Sequence, residues 1–167
     1  FGDTVSFKLT ATLPENLTSY ESYKLIFHDK LADGFELIEG TIKVEMFADK
    51  DAQTGTDVTE KFNKTTEVSD DCTFEVGCND ILGVDGMTVT KDTVFVVTYD
   101  ATLTEDAKIG AEGNTNVVTL EFSNDPYGTG TGKISDKVIV FTYKLVIEKT
   151  DGNAPLAGAG FQLYKLD

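Results

Sequence analysis

Apolar and polar residues alternate along most of this chain, and a period of two means strands with one buried face. Val5, Phe7, Leu9, Ala11 and Leu13 share one parity, and Pro14 ends the run. Tyr23, Leu25 and Phe27 form the next set, and Ile42, Val44 and Met46 follow a break at Gly40. Phe74, Val76 and Cys78 come next, then a long set at Phe95, Val97, Tyr99, Ala101 and Leu103. Val118, Leu120 and Phe122 make another strand, and Ile139, Phe141, Tyr143, Leu145 and Ile147 predict the last. Turn chemistry separates these runs at Asp33-Gly34, Asp85-Gly86, Asn124-Asp125-Pro126 and the Gly/Thr stretch from Gly128 to Gly132. No segment sustains a helical period, although Glu15 to Glu21 has room for one helical turn.

Many short strands with regular breaks predict an all-β fold, an immunoglobulin-like β-sandwich. The main unit is expected over 1–142. From Tyr143 the text YKLVIEKTDGNAPLAGAGFQLYKLD reads as strand, turn and strand, too short to bury a core of its own. It is expected to be the first hairpin of a truncated second unit at 143–167, or to dock on the first.

Charge narrows the partners. Fourteen basic residues face 29 acidic ones, a net of −15. Such a surface repels phosphates, so neither nucleic acid nor an anionic membrane is an expected partner. No apolar stretch is long enough to span a bilayer, and no basic start followed by an apolar run marks a signal peptide. Both ends of the chain read as cuts.

Cys72 and Cys78 stand six residues apart in the strand-like run CTFEVGC. Extended chain of that length spans roughly 20 Å, whereas a disulfide needs Cα atoms within about 7 Å. Two unpaired, mostly buried thiols are expected. With one histidine and no Cys-x-x-Cys spacing, no zinc site and no cofactor are predicted. The acidic loop 48–60, with Asp49, Asp51 and Asp57, lacks EF-hand spacing and reads as a solvated hairpin. Two glycosylation sequons, at Asn16 and Asn63, are of a kind that recurs by chance. His28 is out of phase with Phe27 and is expected on an exposed strand face, with no serine motif beside it to suggest a triad.

Several stretches resemble the fimbrial isopeptide-forming D2 domain of sortase-assembled major (backbone) pilins. They are GDTVSFKLTATLP (2–14), YESYKLIFHDKLADGFEL (20–37), VFVVTYDATLTEDAKIG (94–110) and GNTNVVTLEFSNDPYGTGTGK (113–133). DKVIVFTYKLVIEKTD (136–151) then passes into LAGAGFQLYK (156–165), which resembles the start of a Cna protein B-type domain. The resemblance implies a Cna-type sandwich and a structural shaft subunit of a covalent surface pilus, extracellular, with neighbouring pilin subunits and a sortase as partners. It implies no enzyme beyond self-catalysed isopeptide formation. The alternative is an adhesin module for a host or partner-cell ligand, which an exposed cluster of Tyr20, Tyr23 and Tyr127 would favour, although patterning buries Tyr23. The sequence holds no LPxTG-like sorting signal and no YPK-type pilin motif, as expected for a central part of a longer subunit.

Intramolecular Lys–Asn bonds of this family set a chemical requirement. A neutral lysine amine must attack an asparagine carboxamide in a dry core, beside a carboxylic acid that burial keeps protonated. Strand parity turns Asp29 inward with Leu25 and Phe27, and the resemblance makes it the assisting acid, through the family's F-x-D motif. A turn-capping role is the bland alternative. Asn116 shares a face with Val118, Leu120 and Phe122, and the resemblance places the acceptor asparagine at the start of this strand. Asn114 is the alternate, and Asn124 shapes a turn. The donor is not evident. Lys8 and Lys24 are out of phase with the apolar set, and Lys8 is kept only as a weak candidate. In related pilins the donor precedes the GDTV segment, which places it upstream of Phe1. Lys149 shares a face with Leu145 and Ile147, and by resemblance it is the donor of the following domain.

Overall fold

The computed structural model describes residues 1–68 and 70–143. The predicted hairpin beyond Tyr143, with Lys149, lies outside the described residues. Among the described residues nine strands follow in chain order: β1 (Thr4–Thr12), β2 (Leu25–Lys30), β3 (Phe35–Phe47), β4 (Thr56–Asp57), β5 (Asn63–Thr65), β6 (Phe74–Cys78), β7 (Val94–Leu103), β8 (Asn114–Ser123) and β9 (Thr131–Val140). They form two antiparallel sheets, ordered β1-β7-β3-β4 and β5-β6-β2-β8-β9. Single 3-10 turns at Leu17–Ser19 and Thr59–Lys61 are the helical elements among the described residues. The first lies within the stretch where the sequence has room for one turn.

The predicted alternation builds the core. Phe7, Leu9 and Ala11 of β1, Val44 of β3 and the odd-numbered residues of β7 from Phe95 to Leu103 face inward from one sheet. Leu25 and Phe27 of β2 with Phe74 and Val76 of β6 meet them from the other. Each fully buried side chain of this size contributes about 1.5–3 kcal/mol. Phe7 stacks on Tyr99 at 5.0 Å between centroids, and Phe74 meets the same ring edge-on at 4.9 Å. The first contact lies within one sheet, and the second joins the two sheets across the sandwich.

Three expectations change. Gly40 is not a strand boundary: β3 starts at Phe35 and continues to Phe47, and a break in register between Ile38 and Lys43 absorbs the irregularity as a bulge. The last strand starts earlier than its apolar run suggests, and the Gly/Thr stretch supplies its first residues, Thr131 and Gly132. Its phase is also reversed. Asn116 pairs with Val138 and Leu120 with Ile134, so the even residues of β9 lie on the inner face, not Ile139 and Phe141. β9 hangs beyond the facing sheet, whose edge on this side is β1, so burial does not specify its phase. Ile134 and Val138 accordingly stay 63% and 55% exposed.

The two thiols are free, as expected, but half-buried rather than mostly buried. Cys72 lies before β6, not within it. The acidic loop is exposed, and its Asp49 carboxylate accepts the Asp51 amide proton in a local turn.

Candidate functional site

β2 carries Asp29 to its inner face because the strand runs on to Lys30 without a break. Asp29 sits between its register partners Phe74 of β6 and Val118 of β8, and it is fully buried. Asn116, two residues before Val118, is 2% exposed on the same face. Tyr99 comes from β7 in the opposite sheet, and the rings of Phe7 and Phe74 hold it. The three polar groups converge. The Tyr99 hydroxyl donates to Asp29 Oδ2 at 3.0 Å. Asn116 Nδ2 donates to Asp29 Oδ2 at 3.2 Å and to the Tyr99 hydroxyl at 2.8 Å. The remaining oxygens, Asp29 Oδ1 and Asn116 Oδ1, are buried without a hydrogen-bond partner.

Electrostatics follows from dryness. Burial pushes the Asp29 carboxyl up to about 6, against the opposing pull of the hydrogen bonds from Asn116 and Tyr99. Burial, then the neighbouring Asp29 charge, raises the Tyr99 phenol far above its ordinary value, so the hydroxyl keeps its proton and remains a donor. A carboxylic acid that is half protonated near pH 6, fixed against a carboxamide in an apolar pocket, can donate a proton or a hydrogen bond to that amide.

The structure brings Asp29 and Asn116 together and sorts the other candidates. Asn114 is equally buried but occupied: its Oδ1 accepts from the Lys108 amide at 2.8 Å, and its Nδ2 donates to the carbonyls of Lys108 and Val140. It ties the loop before β8 to the end of β9. Gly34 permits this, since a Cβ there would lie 2.6 Å from both Asn114 Oδ1 and Ala107 Cα. Asn124 closes a turn, donating its amide proton to the Gly130 carbonyl. Lys8 is exposed on β1. Lys24 faces outward and pairs with Glu121 at 3.3 Å. Tyr99 was missed as a site residue: its parity marks it as core, but nothing in sequence spacing places its hydroxyl over Asp29.

A cleft beside Asn116 opens between the free edge of β1 and the strands β8 and β9, lined by Phe7, Leu9, Asn116, Val118, Asp136 and Val138 among others. It adjoins an apolar groove of about 490 Å³ that includes Ala11, Phe27, Leu120 and Ile134. Of the three tyrosines considered above, Tyr23 is buried and packs edge-on against Tyr20, while Tyr127 is exposed by itself on a turn.

His28 contradicts expectation most. It faces the outer side of β2, yet only 8% of it is exposed. Asp70, Glu75 and Glu121 crowd around its ring. Burial, then Asp70 and Glu75, pushes the adjacent Cys72 thiol up to about 12, and burial also raises Cys78. Neither thiol is poised as a nucleophile.

No family model matches the chain, and no curated protein matches it in sequence. Solved structures do match. The T6 backbone pilin of serotype M6 Streptococcus pyogenes superposes with a TM-score of 0.59 at 20% identity, over 84% of this chain and 31% of that one. The 35 kDa C-terminal fragment of the major pilin GBS80 of Streptococcus agalactiae gives 0.58 at 18% identity, over 85% and 50%. ACE19, the collagen binding subdomain of the Enterococcus faecalis surface protein ACE, gives 0.52 at 15%, over 83% and 88%. The chain thus spans about a third of the T6 pilin and half of the GBS80 fragment. It shares the β-sandwich fold of Gram-positive backbone pilins and of Cna-type surface modules, as its sequence resemblance implies.

Proposed function

We propose that this chain is part of a structural shaft subunit of a covalently assembled bacterial surface pilus, and that Asn116 is the acceptor of an internal isopeptide bond assisted by Asp29. The observation that carries this reading is the pair of buried, unpartnered oxygens, Asp29 Oδ1 and Asn116 Oδ1, in one apolar pocket. An unsatisfied buried acceptor costs about 1–3 kcal/mol. Two such oxygens, on side chains that touch each other, are explained by a donor that the completed subunit supplies. A lysine amine is such a donor.

The chemistry then needs only these side chains. A neutral lysine Nζ attacks Cγ of Asn116 while protonated Asp29 hydrogen-bonds to the amide oxygen; amide O and N are interchangeable by rotation about the Cβ–Cγ bond. The new C–N bond forms, a proton passes from Nζ through Asp29 to the departing nitrogen, and ammonia leaves. Fixed proximity supplies on the order of 7–11 kcal/mol of the barrier reduction. Tyr99 is a positioning residue: its hydroxyl donates to Asp29 Oδ2 and holds the carboxyl against the amide.

The lysine is proposed to lie upstream of Phe1. Among the described residues no lysine hydrogen-bonds or ion-pairs with Asp29 or Asn116, whose bonds are to each other and to Tyr99. A strand added along the free edge of β1 would run past the cleft beside Asn116 and deliver its side chain there. Lys149 is proposed as the donor for a following domain. Neighbouring subunits and a sortase are the assembly partners of this reading, on the cell surface. A second reading, an adhesin module, draws on the apolar groove between β1 and β8–β9, which has the size to take a ligand segment.

Intact mass of the full-length subunit tests the proposal. One cross-link in this domain removes one ammonia, about 17 Da, and the proximity-driven step disappears with either partner. Asp29→Ala and Asn116→Ala should each restore that mass. An uncrosslinked wild-type subunit overturns the reading and leaves the adhesin, which matrix-protein binding by the isolated domain would support.

A further inference from the structure

On the outer face of the same strand, four side chains of different chemistry meet. His28 Nδ1 lies 3.0 Å from Asp70 Oδ2 and 3.1 Å from Glu75 Oε1. The ligand atoms of His28, Asp70, Cys72 and Glu75 all lie within 4.8 Å of one another. Glu75 is the register partner of His28 across β2–β6. Asp70 and Cys72 come from the segment before β6, where the Cys72 amide donates to the other Asp70 oxygen at 3.2 Å.

The histidine decides what this cluster is for. Its Nε2 is 3.1 Å from Glu121 Oε2. An ionised carboxylate only accepts, so Nε2 carries a proton. Nδ1 is buried and makes no hydrogen bond, although two carboxylate oxygens stand at 3.0 and 3.1 Å. They lie off the direction in which a ring N–H would donate. A bare lone pair held between two anionic oxygens is repelled, and an imidazolium would be expected to aim its N–H at one of them. A cation among the three removes both difficulties. In a tetrahedral zinc site with metal–ligand bonds of about 2.0–2.2 Å to N and O, neighbouring ligand atoms are about 3.3–3.5 Å apart. The two separations from His28 Nδ1 are within a few tenths of an ångström of that, and the cluster as a whole, Cys72 included, lies within 4.8 Å. A carboxylate on the far nitrogen of a ligating histidine is the usual outer support of such a site, fixing tautomer and ring orientation, and Glu121 occupies that place. Glu121 is in turn held by Lys24 and Lys133.

We propose that His28 Nδ1, Asp70, Cys72 and Glu75 form a binding site for a divalent transition-metal ion of the zinc type, with Glu121 orienting the histidine. Imidazole and thiolate together select zinc-like ions over calcium and magnesium, which take oxygen ligands. On binding, the Cys72 thiol gives up its proton to solvent and its sulfur becomes a ligand. The ion would clip the segment at Asp70–Cys72 onto the outer sheet face, beside Asp29 but on the other side of β2. This inference is independent of the cross-link.

The test uses the chelator-stripped chain titrated with Zn²⁺ and, as a spectroscopic substitute, Co²⁺. One ion per chain is expected, with a thiolate-to-cobalt charge-transfer band and the visible band intensity of four-coordinate cobalt. Cys72→Ser should abolish the charge-transfer band and weaken Zn²⁺ binding at least 10-fold, while Cys78→Ser keeps both. His28→Gln should weaken binding 100-fold or more. Should that buried variant fail to fold, Asp70→Asn at the rim replaces it, with a loss of at least 10-fold. Asp51→Asn in the exposed acidic loop should change nothing. Non-saturable binding, a cobalt spectrum without the thiolate band, or an affinity indifferent to Cys72→Ser overturns the site.

Discussion

His28 and Asp29 are consecutive residues of one strand, and both are buried, yet the two faces of the sheet treat them in opposite ways. Asp29 enters a pocket walled by Phe7, Phe74 and Tyr99, where the cheapest response of a carboxyl group is to hold its proton. His28 lies under a canopy of three carboxylates, Asp70, Glu75 and Glu121, and the last of these gathers lysines around it. Hydrogen bonds from His28 and Lys24, with the charges of Lys24 and Lys133, hold Glu121 below the ordinary carboxylate range despite its partial burial. Desolvation therefore dominates on the inside and charge pairing on the outside, one residue apart. Burial alone does not tell what a titratable group will do. The character of what covers it does.

The largest effect that separates the two faces is in pH dependence. The Asp29 carboxyl is near 6 in the folded chain and near its ordinary value of about 3.9 when unfolded. Between those values the folded state binds the extra proton, so this group's contribution to stability falls as pH rises through the window and then stays flat. Two units correspond to about 2–3 kcal/mol. Asp70, Asp57 and Glu121, shifted the other way, lose their contributions as pH falls, so the window must be isolated by difference. Subtracting the denaturation profile of Asp29→Asn from that of the wild type should leave a decline of that size from pH 4 to pH 7. A flat or rising difference would mean that Asp29 is ionised in the fold, and the inner site would be no drier than the outer one.

Tyr99→Phe sharpens the inner half of the comparison with a smaller effect. The variant keeps the ring packing and deletes one donor to Asp29 Oδ2 and one acceptor for Asn116 Nδ2. A loss of about 1–2 kcal/mol is expected at neutral pH, where the carboxylate is charged. The Asp29 titration, followed by carboxyl carbon NMR, should move above its wild-type midpoint, because a hydrogen bond to the charged form has gone. A midpoint that stays put or falls would show that Tyr99 only packs.

Much of the inner face was legible in the sequence, because strand parity is rigid where both faces of a residue's surroundings are specified. Asp29 follows Leu25 and Phe27 by twos, and Asn116 precedes Val118 by two, so period alone turned both inward. That they meet depends on β2 pairing with β8, which period does not encode; the resemblance named the two as acid and acceptor without the pairing. Tyr99 was legible as core and not as chemistry, since its hydroxyl acts across the gap between sheets. His28 departs from its expectation because outward parity does not by itself mean solvent. Its cover comes from Asp70, in an irregular segment, and from Glu75 and Glu121 on neighbouring strands. β9 differs for a related reason: an apolar run reports strand phase only where something buries it, and here Ile134, Val138 and Ile139 all stay exposed, with only Val140 against the core.

The smallest expected effect tests the outer half. Lys24 pairs with Glu121 at 3.3 Å with its side chain about a third exposed, so the pair is partly screened. Lys24→Ala leaves Glu121 still paired with His28 and Lys133, so no buried charge is orphaned. The cost should be about 0.2–1 kcal/mol in low salt. It should shrink further near 1 M salt, where the screening length is only about 3 Å. Tyr99→Phe, whose partners are out of reach of counterions, should cost the same in both. If instead Lys24→Ala destabilised the chain as strongly as Tyr99→Phe and did so regardless of salt, the outer cluster would behave as a dry, low-dielectric network. The contrast between residues 28 and 29 would then lose its basis, because solvent screening would no longer distinguish the two faces.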